Sequence, residues 1–290
     1  MIKAYTRVPD PLADPLFEVF DGGDFVLSSW RDVEKPGTEV QVYFPEAERA
    51  GEAKAKLRAA LDTVGCDAPV EVCEVPDEDW KYSYRRHFTT QLIGDRLAVV
   101  PAWEADSTPT PGRERIVIDP GLAFGTGKHE TTRSCLLFID KMARDEALRG
   151  ECSGAPSFLD MGCGSGILSI AAAKLGFAGV KGFDNDPDAV EAARENAHEN
   201  GASVEYSHYA LGGGGARPEP ADAAAANILG PVLAEHAAEI TSLARRRLAI
   251  SGILSEIYDG VLAAFRGLGW RELERIADGE WTSGLLTRDA

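Results

Sequence analysis

Basic residues are scarce in this chain: 30 Lys+Arg stand against 47 Asp+Glu, a formal net charge of −17. That balance argues against a nucleic-acid partner, because such binding is driven mainly by Lys and Arg neutralising phosphates. Cysteine is scarce as well. Cys66, Cys73, Cys135, Cys152 and Cys163 are odd in number, scattered and never spaced as C-x-x-C. Neither a disulfide framework nor a zinc site follows from that spacing, and a reducing cytoplasm is the natural compartment. No run of eighteen apolar residues exists, so no membrane span is expected. The opening MIKAYTRVPDPLADP has no apolar segment behind its positive charges and no small-residue cleavage site, so it is not expected to be a secretory signal.

What is present describes a globular protein. Apolar residues make up 44% and charged residues 27%, enough hydrophobic material for one large domain or two ordinary ones. The acidic charge is uneven: residues 1 to 80 hold 18 Asp+Glu against 8 Lys+Arg. Solubility explains this, and so does attraction of a basic protein partner by complementary potential.

Residues 1 to 76 read as a small α+β domain. FVLSSW, TEVQVYF and PVEVCEV have strand character, and AERAGEAKAKLRAALDTVG reads as an amphipathic helix. Residues 77 to 112 read as a linker, with a helix over DEDWKYSYRRHF N-capped by Asp77, the strand RLAVVPAW and a Pro-rich loop. ERIVID then opens the larger domain, 113 to 290. From residue 129 helices alternate with strands: HETTRSCLLFIDKMARDEAL, then SFLDM, ILSIAAAKLG, GVKGFDN and PDAVEAARENAHENG. VEYSHY, ADAAAANIL, PVLAEHAAEITSLAR, RRLAISGIL and EIYDGVLAAFRGLG follow. Such alternation predicts a parallel sheet covered by helices on both faces. WRELERIA and EWTSGLLTR, separated by Asp278-Gly279, predict a terminal hairpin whose last strand runs antiparallel.

FLDMGCGSGIL is the strongest local signal. A buried strand ends at Asp160, and Gly162, Gly164 and Gly166 then turn the chain into a helix. Glycine there tolerates positive φ and lets a ligand approach the backbone. A second strand ends at Asp184, where a carboxylate can accept hydrogen bonds from both hydroxyls of a ribose. Together these features predict bound adenosine. A dinucleotide fingerprint would read G-x-G-x-x-G around a pyrophosphate. This turn reads G-x-G-x-G with an acid two residues ahead, and Asp160 suits an ammonium better than an anion. D-x-G-x-G-x-G is similar to the first motif of the class I methyltransferases, whose cofactor is S-adenosylmethionine. A nicotinamide oxidoreductase is the alternative from that comparison.

DPGLAFGTGKHETT, residues 119 to 132, invites a phosphate-loop reading, but Gly127-Lys128 is followed by His129 where a Walker loop needs Ser or Thr. The stretch also precedes the first strand of the nucleotide fold. It is read as a segment folding over the cofactor.

DEDW, RLAVVPAW, DPGLAFGTGKHETT, FLDMGCGSGIL, GFDNDPDAV, NILGPVL and LAISGIL occur in an order that closely resembles the PrmA family, bacterial methyltransferases of ribosomal protein eleven of the large subunit. The resemblance covers residue 77 to the end. It implies a Rossmann-like α/β methyltransferase domain, a mostly parallel sheet with a C-terminal antiparallel hairpin, preceded by a small α+β ferredoxin-like substrate-recognition domain. It implies S-adenosylmethionine as cofactor, with Thr132, Gly162, Asp184 and Asn227 touching it. The physical argument adds Asp160 and Gly164, and Phe124 either walls off the ligand or packs in the core. The chain departs from the family's pattern at Glu130, where Pro is usual, and at N-I-L-G-P, one residue shorter than N-I-L-A-G-P.

The implied reaction is methylation of lysine ε-amines of the basic ribosomal protein, with its N-terminal α-amine as a further acceptor. Methylation of another protein or of a small amine, and cofactor binding without transfer, stay open at this point. Asn227 and His129 are the catalytic candidates: Asn227 to orient the acceptor nitrogen or close the cofactor site, His129 to relay the released proton or simply to cap a helix. No metal site is expected, and a cytoplasmic monomer is.

Overall fold

A computed structural model of the chain describes residues 2–13, 26–31, 36–44, 50–74, 89–118, 129–213 and 216–288. The chain divides into two compact units, Met1–His87 and Phe88–Ala290.

In the first unit β1 (Ile2–Val8), β2 (Val26–Arg31), β3 (Thr38–Phe44) and β4 (Glu71–Glu74) form an antiparallel sheet in the order β2-β3-β1-β4, with α1 (Ala50–Thr63) connecting β3 to β4. Residues 50–63 are rich in strong helix formers, and Leu57, Ala60 and Leu61 bury one stripe of the helix. That stripe lies over the sheet face carrying Ala4, Val8, Val40 and Val42. The reading of residues 1 to 76 omitted β1, a central strand. Its inward positions, Ala4, Thr6 and Val8, alternate correctly with Lys3, Tyr5 and Arg7, but Ala and Thr carry little hydrophobic signal. The helix expected over 77–88 lies outside the described residues.

The second unit begins with β5 (Gln91–Ile93), β6 (Leu97–Pro101) and β7 (Glu114–Ile118), a three-stranded sheet in that order. Next come α2 (Glu130–Arg144), α3 (Glu146–Gly150), β8 (Ser157–Met161), α4 (Ile167–Lys174), β9 (Ala178–Asp184), α5 (Pro187–Glu199) and β10 (Glu205–His208). The chain continues through β11 (Ala221–Asn227), α6 (Gly230–Glu235), α7 (Ala237–Leu243), β12 (Ala244–Leu254), α8 (Tyr258–Arg266), β13 (Trp270–Asp278) and β14 (Trp281–Arg288). The main sheet has the order β10-β9-β8-β11-β12-β14-β13. Its first five strands are parallel and β14 is antiparallel to both neighbours, as the alternating pattern and the terminal hairpin predict.

Helices cover both faces. Residues of α2, α4 and α5 build one core, and residues of α6, α7 and α8 build the other. The alanine run of β11 becomes intelligible here. Ala223 and Ala225 enter the first core, Ala224 and Ala226 the second, so the strand is buried on both sides and small side chains suffice. Two helices expected as continuous are each broken. The first stops at Asp145, whose extended backbone (ψ 103) lets its carboxylate cap the N–H of Leu148 and hold Arg247 at 2.8 Å. The second breaks at His236, between α6 and α7. The hairpin signal at Asp278-Gly279 is displaced by one residue. Asp278 pairs with Trp281, so the two-residue loop is Gly279-Glu280, with Gly279 at φ 59. No helix among the described residues is long and apolar enough to cross a membrane.

Candidate active site at the carboxyl ends of the central strands

The order of the main sheet reverses direction at β8 and β11, and in open α/β sheets ligands bind at the carboxyl ends of strands beside such a switch. Residues placed there by β8, β9 and β11 are Asp160, the glycine turn, Asp184 and Asn227. The N-terminus of α2 supplies His129 and Thr132.

Gly162, Gly164 and Gly166 have φ of 73°, 50° and 78°, the left-handed region that favours glycine. At two of them the close neighbour is the protein itself. A Cβ on Gly162 would lie 2.5 Å from Cγ2 of Ile228, and one on Gly166 would lie 2.5 Å from the Tyr206 hydroxyl. The turn is tied to β9, because the N–H groups of Gly162 and Cys163 both donate to the Phe183 carbonyl at 2.9 Å.

Asp184 ends β9 and joins this turn. One of its oxygens accepts from the Gly164 N–H at 2.9 Å, the other from the Asp186 N–H at 3.0 Å. Each oxygen keeps a lone pair for a further donor. Asp160 is fully buried. Its Oδ2 accepts from the Ser169 N–H at 3.0 Å, while Oδ1 has no partner. Burial pushes its carboxyl up to about 7, against the opposing pull of the Ser169 hydrogen bonds. Among the described residues no Lys or Arg pairs with either carboxylate.

Asn227 ends β11, half-buried, and its Nδ2 donates to Oγ1 of the fully buried Thr132 at 3.4 Å. His129 is the N-cap of α2. Its Nδ1 accepts from the Thr131 N–H at 3.3 Å and lies 2.8 Å from the Thr131 hydroxyl, and its ring packs edge-on against Trp281 at 5.0 Å. Phe124, with residues 119–128 generally, lies outside the described residues.

Two supporting residues were not singled out from the sequence. Ser251 on β12 pairs with Asn227 in register, donates to the Thr131 carbonyl at 3.2 Å and lies 2.7 Å from the Ser283 hydroxyl. Gly252, at φ 81, sits against the loop after β11, where a Cβ would lie 2.4 Å from the Ile228 carbonyl oxygen. A Ser-Gly pair inside the strand run LAISGIL is the available signal, since glycine within a strand marks a bulge or a close backbone approach. The register of β12 against β14 does shift between Ile250 and Ile253.

Ile228 is thus wedged between Gly162 and Gly252. Beside it a cleft of about 260 Å³ is lined by Gly162, Asn185, Ala210, Leu211, Ile228 and Val232, with Leu229 at its rim.

The model of the ribosomal protein L11 methyltransferase family, PrmA, matches residues 24–288. The chain belongs to that family. The ribosomal protein L11 methyltransferase of Geobacter metallireducens is 36% identical over 288 residues, 94% of this chain and 92% of that one. The Azotobacter vinelandii protein of the same name is 42% identical over 200 residues, 68% of this chain, and the match spans 64% of that protein's length. A solved ribosomal protein L11 methylase from Lactobacillus delbrueckii subsp. bulgaricus shares the fold with a TM-score of 0.59 at 27% identity, covering 70% of this chain and all of that one.

Family membership makes S-adenosylmethionine the methyl donor, and the site fits it. The unpartnered Oδ1 of Asp160 is a buried acceptor suited to an ammonium, and the two oxygens of Asp184 suit ribose hydroxyls. The buried carboxylate of Asp160 just ahead of the turn, with no cation paired to it among the described residues, is wrong for a pyrophosphate and argues against the nicotinamide alternative.

Proposed function

We propose that this chain methylates amine nitrogens of ribosomal protein L11, acting on lysine ε-amines and on the N-terminal α-amine. The observation that carries the reading is the meeting of Asn227 and Thr132 above a donor site of Asp160, the glycine turn and Asp184. S-adenosylmethionine supplies an electrophilic methyl on a sulfonium, so the enzyme must present a neutral nitrogen in line with it. At pH 7 an α-amine with pKa near 8 is about one-tenth neutral, and a lysine near 10.4 is neutral in about one molecule in 2,500. A desolvated site favours the neutral amine. The carboxamide nitrogen of Asn227 is engaged by Thr132, which leaves its oxygen to accept an N–H from the acceptor and aim the nitrogen lone pair.

Asp160 would hold the donor's ammonium, Asp184 its ribose, and the cleft beside Ile228 its purine, with the backbone of Gly162 and Gly164 between them. The small first unit is assigned to recognition of the protein substrate. The cysteines are free thiols, which suits work in the cytoplasm, and the chain is read as acting as a monomer.

The test is incubation of the purified chain with L11 and isotopically labelled S-adenosylmethionine, followed by peptide mass spectrometry. Label on lysine side chains and on the N-terminus of L11 is expected. Label on another protein of a whole extract, with L11 unlabelled, would replace the reading by methylation of a different amine substrate.

A further inference from the structure

Two helix N-termini at this edge of the sheet are capped against the usual chemistry. Ser, Thr, Asp or Asn at an N-cap satisfies backbone N–H groups that otherwise lack partners. The N-cap of α6 is Leu229 and that of α8 is Ile257, and neither makes a side-chain capping bond. Both are exposed, Leu229 at 65% and Ile257 at 36%. They are also neighbours across the helices: Cδ1 of Ile257 lies 3.0 Å from where a side chain on Gly230 would begin.

An isolated exposed leucine means little. Here, however, the loop that carries Leu229 is closely packed, since Ile228 sets its side chain against Gly162 and its carbonyl against Gly252. Leu229 stands two residues beyond Asn227, on the side of the sheet where β12 ends. The exposed Glu256 precedes Ile257. An aliphatic lip with a carboxylate next to it matches the chemistry of a lysine side chain, whose methylene stem is apolar and whose flanking sequence in a basic protein is positively charged.

We infer that Leu229 and Ile257 form the acceptor lip of this enzyme, packing the aliphatic stem of the target lysine while Asn227 holds its nitrogen. The inference rests on the proposed methylation of L11. At Leu229, whose extended backbone (ψ 135) would accept a capping side chain, that capping energy is given up, and acceptor binding is what is gained in return.

Leu229→Ser and Ile257→Ser test it, read by initial rates of methyl transfer to L11 and by direct titration of S-adenosylmethionine. Serine is a good N-cap, so Leu229→Ser should melt at the same temperature or higher, which separates lost binding from lost folding. Each variant should raise KM for L11 about tenfold, with kcat changed far less, because the lost contact is one of uniform binding. Ile257→Ser should leave cofactor affinity as it is, and Ile257→Val should restore most of the acceptor affinity. The lip is overturned if both serine variants keep the wild-type KM. It is also overturned if Leu229→Ser weakens cofactor binding while Ile257→Ser changes nothing, which would make Leu229 part of the purine cleft. A wild-type enzyme that puts no methyl on L11 removes the functional reading itself. A wild-type enzyme that methylates L11 normally beside unaffected variants removes only the lip.

Discussion

Nδ2 of Asn227 lies 3.4 Å from Oγ1 of Thr132, joining the end of β11 to the first turn of α2 across 95 positions of sequence. In the proposed reaction this contact leaves the carboxamide oxygen for the acceptor. Asn227→Ala removes both the orienting oxygen and the tie to Thr132, so kcat for methyl transfer to L11 should fall about ten- to hundredfold, the equivalent of one or two lost hydrogen bonds. Thr132→Val removes only the tie and should cost less. Near-normal turnover and cofactor affinity in Asn227→Ala would end the assignment.

Asp160 gives a pH dependence with a definite sign. Its folded-state carboxyl is raised to about 7 by burial, well above the usual carboxylate range. In the unliganded protein the folded state therefore holds a proton that the unfolded state releases, and stability falls as pH rises through that interval to a plateau above about 7. Binding an ammonium beside the unpartnered Oδ1 favours the ionised form. Affinity for S-adenosylmethionine should therefore increase from about pH 5.5 to about 7, with proton release on binding visible by calorimetry in buffers of different ionisation enthalpy. Asp160→Asn should bind the cofactor more weakly and lose this trend. A wild-type Kd that is flat across the interval contradicts the role given to Asp160.

Gly252 carries a structural prediction. An alanine there would have to adopt φ near 81° and place Cβ 2.4 Å from the Ile228 carbonyl oxygen, which is backbone and cannot rotate away. Strain and displacement together should cost about 2–3 kcal/mol, or about 4–12 °C in Tm for a unit of this size. Because the displaced loop follows directly on Asn227, kcat should fall further than the loss of stability explains at assay temperature. Gly252→Ala with unchanged Tm and kcat would show that the loop is not braced there.

Much of this arrangement was legible because strand ends and turns announce themselves locally. SFLDM and the glycines after it, Asp184 closing the next strand and Asn227 closing the alanine strand all stand at points where the chain changes period. β1 was not legible, since its inward Ala4 and Thr6 are too weakly apolar to register as a buried face. The breaks at Asp145 and His236 were hidden for another reason. Helical character continues through both, and the break at Asp145 is set by a partner far along the chain, Arg247. Ser251 and Gly252 were missed in the same way. Their importance lies in what packs on them, the first helical turn at Thr131 for the hydroxyl and the loop at Ile228 for the missing side chain, and neither relation is local in sequence.

His129 divides two readings that sequence left open. Its Nδ1 is taken up by the N–H and hydroxyl of Thr131, and its ring is set against Trp281, so the imidazole is held as a helix cap. A cap of this kind is worth about 1 kcal/mol. His129→Gln should accordingly lower Tm by about 2–4 °C and reduce cofactor affinity modestly through the shifted first turn that carries Thr132. The shape of the pH–rate profile should stay as in the wild type. Should the variant instead lose one limb of that profile while Tm holds, the imidazole is the proton relay, and the capping bond from Thr131 is secondary to it.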